Sequence, residues 1–80
     1  MYVPAEQVEA RLKLSPGELK QFEAKGVISA VVKGGRAYYS SQDVYRLKGI
    51  LHFMRTKGMS LDKAQERIDG LAGVGSVPGR

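Results

Sequence analysis

Apolar side chains recur along this chain at two periods. Val8 and Leu12 stand four residues apart in a polar stretch that opens on Pro4-Ala5-Glu6-Gln7, a proline and an early acid suited to a first helical turn. The spacing predicts a short helix ending near Lys13. Ser15-Pro16-Gly17-Glu18 then carries a capping serine, a proline for the first helical position and the acid that completes a Ser-x-x-Glu box. Leu19 and Phe22 continue that second helix, and Gly26 ends it. Two short helices joined by a brief turn make a helix-turn-helix.

The period then changes. Residues 27–33 are mostly β-branched and apolar, Gly34-Gly35 is a two-residue glycine turn, and residues 36–40 contain paired tyrosines, which together predict a β-hairpin. Ser40 or Ser41 caps a third helix with Val44, Leu47, Leu51 and Met54 on its inner stripe, and Gly58 stops it. After Ser60, residues Leu61, Ala64, Ile68 and Leu71 draw a fourth, shorter amphipathic helix. The expected fold is mainly α with a small hairpin: helix, helix, hairpin wing, helix, helix, a winged helix-turn-helix over residues 1–71. Residues 72–80, with three glycines and Pro78, are expected to be a flexible tail.

Charge sharpens this outline. The net charge is +5, and the segments before residue 27 and after residue 57 each balance. The excess falls on Lys33, Arg36, Arg46, Lys48, Arg55 and Lys57 against Asp43 alone, so it lies on the wing and the helix after it. A basic segment of this kind attracts polyanions, nucleic acid first among them. Eighty residues without cysteine leave no disulfide frame, no thiolate metal site and little room for a substrate cavity beside the core. No apolar run approaches the roughly 20 residues that cross a bilayer, and no basic-then-apolar leader opens the chain, so a cytoplasmic, nucleoid-associated protein without membrane partner is expected.

From about Val3 to Leu71 the residues resemble the N-terminal DNA-binding domain of MerR-type bacterial transcription regulators and their excisionase-like relatives. The resemblance is carried by Leu14-Ser15-Pro16, by Leu19-Lys20-Gln21-Phe22-Glu23 running on to Gly26-Val27-Ile28, by Gly35-Arg36-Ala37-Tyr38-Tyr39-Ser40 with Asp43-Val44 and Leu47, and by Gly58-Met59-Ser60-Leu61. It implies double-stranded DNA as partner, the second helix in the major groove and the wing on flanking phosphates. Carried over by position, Ser15 starts the reading helix, Lys20 reaches phosphate or a guanine edge, and Gln21 can read adenine. Lys33 and Arg36 flank the wing tip, Tyr39 keeps the wing-end tyrosine, and Arg46, unless it is simply part of a solvated face, joins the same contact set. Gly17 and Ala24 stand where the family often has arginine, and Glu18 adds an acid beside the groove face.

Two features stay outside that scheme. His52 has no second histidine, cysteine or carboxylate cluster in sequence, and no cofactor, metal or catalytic residue is expected. With the inner stripe of the third helix turned to the core, Tyr45, Gly49 and Phe53 face the other way. Tyr45 and Phe53 are therefore candidates for contact with a second copy or another protein, unless the fourth helix folds over them. The rival function is accordingly a protein-interaction adaptor on the same fold, of the chaperone-modulator or anti-regulator type.

Overall fold

In the computed structural model, which describes the backbone of residues 1–74 and the side chains of residues 1–70, each helix terminus predicted above has a visible cause. α1 (Ala5–Leu12) starts at Pro4 and ends where Lys13 turns left-handed, at φ 56° and ψ 54°. α2 (Pro16–Ala24) starts at a complete capping box: Ser15 Oγ accepts from the Glu18 N–H at 3.1 Å, and a Glu18 carboxylate oxygen accepts from the Ser15 N–H at 2.8 Å. It ends in a Schellman motif. The Val27 N–H reaches the Phe22 carbonyl at 2.9 Å, the Gly26 N–H reaches the Glu23 carbonyl at 3.0 Å, and Gly26 takes a φ of 77°.

The sheet is larger than the expected hairpin. Three strands, β1 (Tyr2–Pro4), β2 (Ala30–Lys33) and β3 (Arg36–Ser40), lie in the order β1-β3-β2, antiparallel throughout. β1 was not predicted, because three residues ending in a proline carry no alternation to read. Proline is confined to sheet edges, and β1 is one. Val3 lies opposite Tyr39, and the Ser41 N–H extends the pairing to the Met1 carbonyl at 2.9 Å. β2 begins at Ala30 rather than Val27. Val27 and Ile28 precede it as a loop that is 2% exposed at both residues, since the Schellman motif draws Val27 back over α2 and out of any ladder. The turn between β2 and β3 is the expected glycine pair, with φ of 57° at Gly34 and 77° at Gly35, values that suit a type I′ hairpin.

α3 (Ser41–Lys57) is capped by Ser40, whose Oγ accepts from the Asp43 N–H at 3.1 Å, and it ends at Gly58 with φ 68°. α4 (Leu61–Val74) is capped in the same way by Ser60, which accepts from the Lys63 N–H at 3.2 Å. The helix runs three residues past the expected stop at Leu71, and residues 75–80, most of the expected tail, lie outside the described residues.

The chain divides into two compact units, residues 1–48 and 49–80, with the boundary inside α3. In the first, Val3, Val8, Leu12, Leu14, Leu19, Val27, Ile28, Tyr39, Val44 and Leu47 are buried. In the second, Ile50, Leu51 and Ala64 are buried, while Met54, Leu61 and Ile68, expected in the core, are half-buried. There α4 passes so close to α3 that a Cβ on Gly49 would stand 2.7 Å from Ile68 Cδ1.

Candidate nucleic-acid interface

The first unit carries all the elements that the sequence assigns to a DNA surface. On α2, Leu19 is 2% exposed and fixes which way the helix faces. Gly17, Lys20, Gln21, Ala24 and Lys25 are exposed, so the outer face holds two lysines and one amide. Glu18 is also exposed, but its carboxylate is occupied by the Ser15 N–H, so the acid expected beside the groove face is turned back onto the helix start. Ser15 Oγ accepts within the capping box and keeps its own O–H to donate.

On the wing, Lys33 and Arg36 face each other across the glycine turn and both are exposed. Arg36 is not solvated alone. Its Nη2 donates to both carboxylate oxygens of Glu6 on α1, at 3.1 Å each, and its guanidinium lies 5.8 Å from the centre of the Tyr38 ring. Glu6 is held below the usual carboxylate range, first by a hydrogen bond from its own backbone and then by Arg36, and the same pairing raises Arg36. Nothing in the sequence links Glu6 to Arg36, thirty residues apart.

Two residues of the expected DNA contact set, Tyr39 and Arg46, are held by bonds within the chain. Tyr39 is 2% exposed, and its hydroxyl donates to Glu23 Oε1 on α2 at 3.1 Å. Burial, and then the nearby Glu23 charge, push its pKa up to about 12. Of the paired tyrosines the sheet turns Tyr39 inward, opposite the buried Val3, and leaves Tyr38 half-buried. Arg46 is half-buried, and its Nη1 donates to the Val27 carbonyl at 2.6 Å. One turn earlier, Asp43 Oδ2 accepts from the Ser29 N–H at 3.1 Å. Arg46 and Asp43 therefore hold the middle and the far end of the loop, residues 25–29, that leads from α2 into the wing. Sequence reasoning singled out neither Glu6, Glu23 nor the role of Asp43. An acid and an arginine three apart on one helix face was the available signal for the loop clamp.

Tyr45 and Phe53 also part company. Tyr45, in the first unit, is 78% exposed. Phe53, in the second, is half-buried: the Arg67 guanidinium of α4 lies 5.8 Å from its ring centre, and His52 meets it edge-on at 5.5 Å. The fourth helix thus covers Gly49 and Phe53. Among the described residues no group of three or more His, Asp or Glu side chains is arranged to hold a metal ion, and no helix is long and apolar enough to cross a membrane.

Residues 4–71 match the family model described as MerR HTH family regulatory protein. No curated protein and no solved structure matches the chain.

Proposed function

Because the chain belongs to the MerR family of helix-turn-helix regulatory proteins, we propose that it binds double-stranded DNA, with α2 in the major groove and the wing on the flanking phosphates. The observation that carries this reading is the exposed Lys20–Gln21 face of α2, set opposite the buried Leu19 on a helix tied to the wing strand through Tyr39 and Glu23. Gln21 offers an amide matched to adenine, and Lys20 a cation matched to guanine or phosphate. Lys33 and Arg36 supply phosphate contacts, and Ser15 donates its hydroxyl at the start of α2, where helix amides also favour an anion. Tyr39 and Arg46 act through α2 and the wing as positioning residues.

Gly17 and Ala24 leave α2 without arginine, so affinity rests on few cations and sequence preference on Gln21 and Lys20. Docking of this kind needs no catalytic group. The rival adaptor reading is weakened by Phe53, half-buried under Arg67, which leaves Tyr45 as its one fully exposed aromatic. A gel-shift series on random duplex at several salt concentrations tests the proposal. Each neutralised phosphate contributes a slope of about 0.9 in log K against log salt, and a Lys20→Ala, Arg36→Ala double variant should flatten that slope. Binding that hardly changes between low and moderate salt would sink the reading.

A further inference from the structure

The first unit holds one concavity that the DNA reading does not use. It has a volume of about 460 Å³ and lies among β1, the end of α1 and the first two turns of α3. Val3, Leu12 and Val44 form its aliphatic floor, only 6–8% exposed, as expected of core side chains seen from one side. Its rim carries Arg11, Lys48, Ser41 and Tyr45, and no acidic residue lines it. Arg11 donates to Gln7 Oε1 over a long 3.4 Å, which leaves most of its donor fork available. Tyr45 stands 78% exposed at this rim, an aromatic surface with no described partner ring.

The size falls within the range of small-ligand sites, about 300–1,000 Å³. The composition is more selective than the size. Two cations without a counter-acid favour an anion, whereas an aliphatic floor beside an aromatic wall favours a flat apolar body. A sugar-phosphate backbone supplies the charge without the apolar body, and a neutral hydrocarbon supplies the body without the charge. We propose that this pocket binds a small aromatic carboxylate. The carboxylate lies between Arg11 and Lys48, the Ser41 hydroxyl donates to it, and the ring rests on the aliphatic floor against Tyr45. The site is independent of Lys20, Gln21, Lys33 and Arg36, so it stands whether or not the DNA reading does.

The test is an amide-resonance titration of the 80-residue chain with phenylbutyrate, and in parallel with phenylbutylamine and with a short acidic peptide lacking aromatic residues. The expected result is a saturating perturbation confined to Val3, Arg11, Leu12 and the start of α3. Phenylbutylamine should bind at least about fivefold more weakly, and an Arg11→Gln, Lys48→Gln variant with unchanged spectral dispersion about tenfold more weakly, as two exposed ion pairs would give. Tyr45→Ala should weaken phenylbutyrate without affecting the acidic peptide. The proposal is overturned by perturbation that does not saturate at millimolar ligand, by equal response to the amine, or by perturbation centred elsewhere. It is overturned as well if the acidic peptide alone moves these resonances, since the pocket would then serve a protein partner.

Discussion

Arg36 at the wing tip and Glu6 in the first turn of α1 are joined by two contacts of 3.1 Å through one guanidinium nitrogen. Both side chains remain more than half exposed, at 56% and 68%, so the pair is steered by water and salt as much as by its own attraction. If Arg36 grips phosphate as proposed, the phosphate and the Glu6 carboxylate compete for the same cation.

Glu6→Gln should raise affinity for random duplex two- to fivefold at low salt, about what an exposed pair contributes, and should steepen the salt dependence. Arg36→Ala should lower affinity in either background. Fluorescence anisotropy at two salt concentrations reads both. Equal affinity of the wild type and Glu6→Gln, with Arg36→Ala still impaired, would show that Glu6 orients the wing arginine without restraining it.

The same pair predicts an acid-limb effect. A carboxylate whose pKa is lowered on folding adds stability above its unfolded value of 4.5 and loses it as pH falls through the folded value. Wild type and Glu6→Gln should therefore differ most in urea midpoint above pH 4.5 and converge as pH falls from there through the folded value.

Tyr39 gives the opposite limb. Its pKa, about 12 when folded against 10.0 for the free phenol, means that the unfolded chain releases the proton first. Stability therefore declines as pH rises from about 10 to about 12. Tyr39→Phe should remove the late-titrating component from an ultraviolet tyrosinate titration. At neutral pH it should cost about 1 kcal/mol, the worth of the bond to Glu23.

Lys13 occupies a left-handed conformation that L side chains enter at a cost of about 1–2 kcal/mol. Lys13→Gly should raise the melting temperature, the relief exceeding the extra unfolded-state freedom of glycine by up to about 1 kcal/mol. A lower melting temperature would mean that Lys13 gains more from its surroundings than its backbone loses.

Gly49 is set against the flexible end of Ile68, 2.7 Å from where a Cβ would stand. Gly49→Ala should stay within about 1 kcal/mol of wild type, because alanine gains helix propensity while Cδ1 moves aside. Gly49→Leu should destabilise by about 1–3 kcal/mol through overpacking. Combining Gly49→Ala with Ile68→Val should be more stable than Ile68→Val alone, as a calorimetric scan would show.

What could be read from the residues alone were the parts written in local code. The Ser15–Glu18 box, the Gly26 stop, the Gly34-Gly35 turn and the serine caps of α3 and α4 are short-range devices, and each is present. Contacts that join distant segments left no such trace: β1 against β3, Glu6 to Arg36, Glu23 to Tyr39. For that reason Tyr39 and Arg46 join the DNA contact set by sequence alone, since a tyrosine or arginine near a wing carries no mark of the partner that draws it in. Tyr45 and Phe53 share one face by helical period, yet Tyr45 is 78% exposed while Arg67 of α4 lies over Phe53, a contact between distant positions that the period does not encode.

One short strand connects both helices of the helix-turn-helix. Arg36, at one end of β3, engages α1, and Tyr39, about 10 Å farther along, engages α2. On the proposed binding mode, β3 works as a gauge block, setting the spacing between α2 and the wing arginine before any target is met. A change that lengthened this strand by a single residue would put that gauge out of step with the pitch of the duplex, even with every cation still in place.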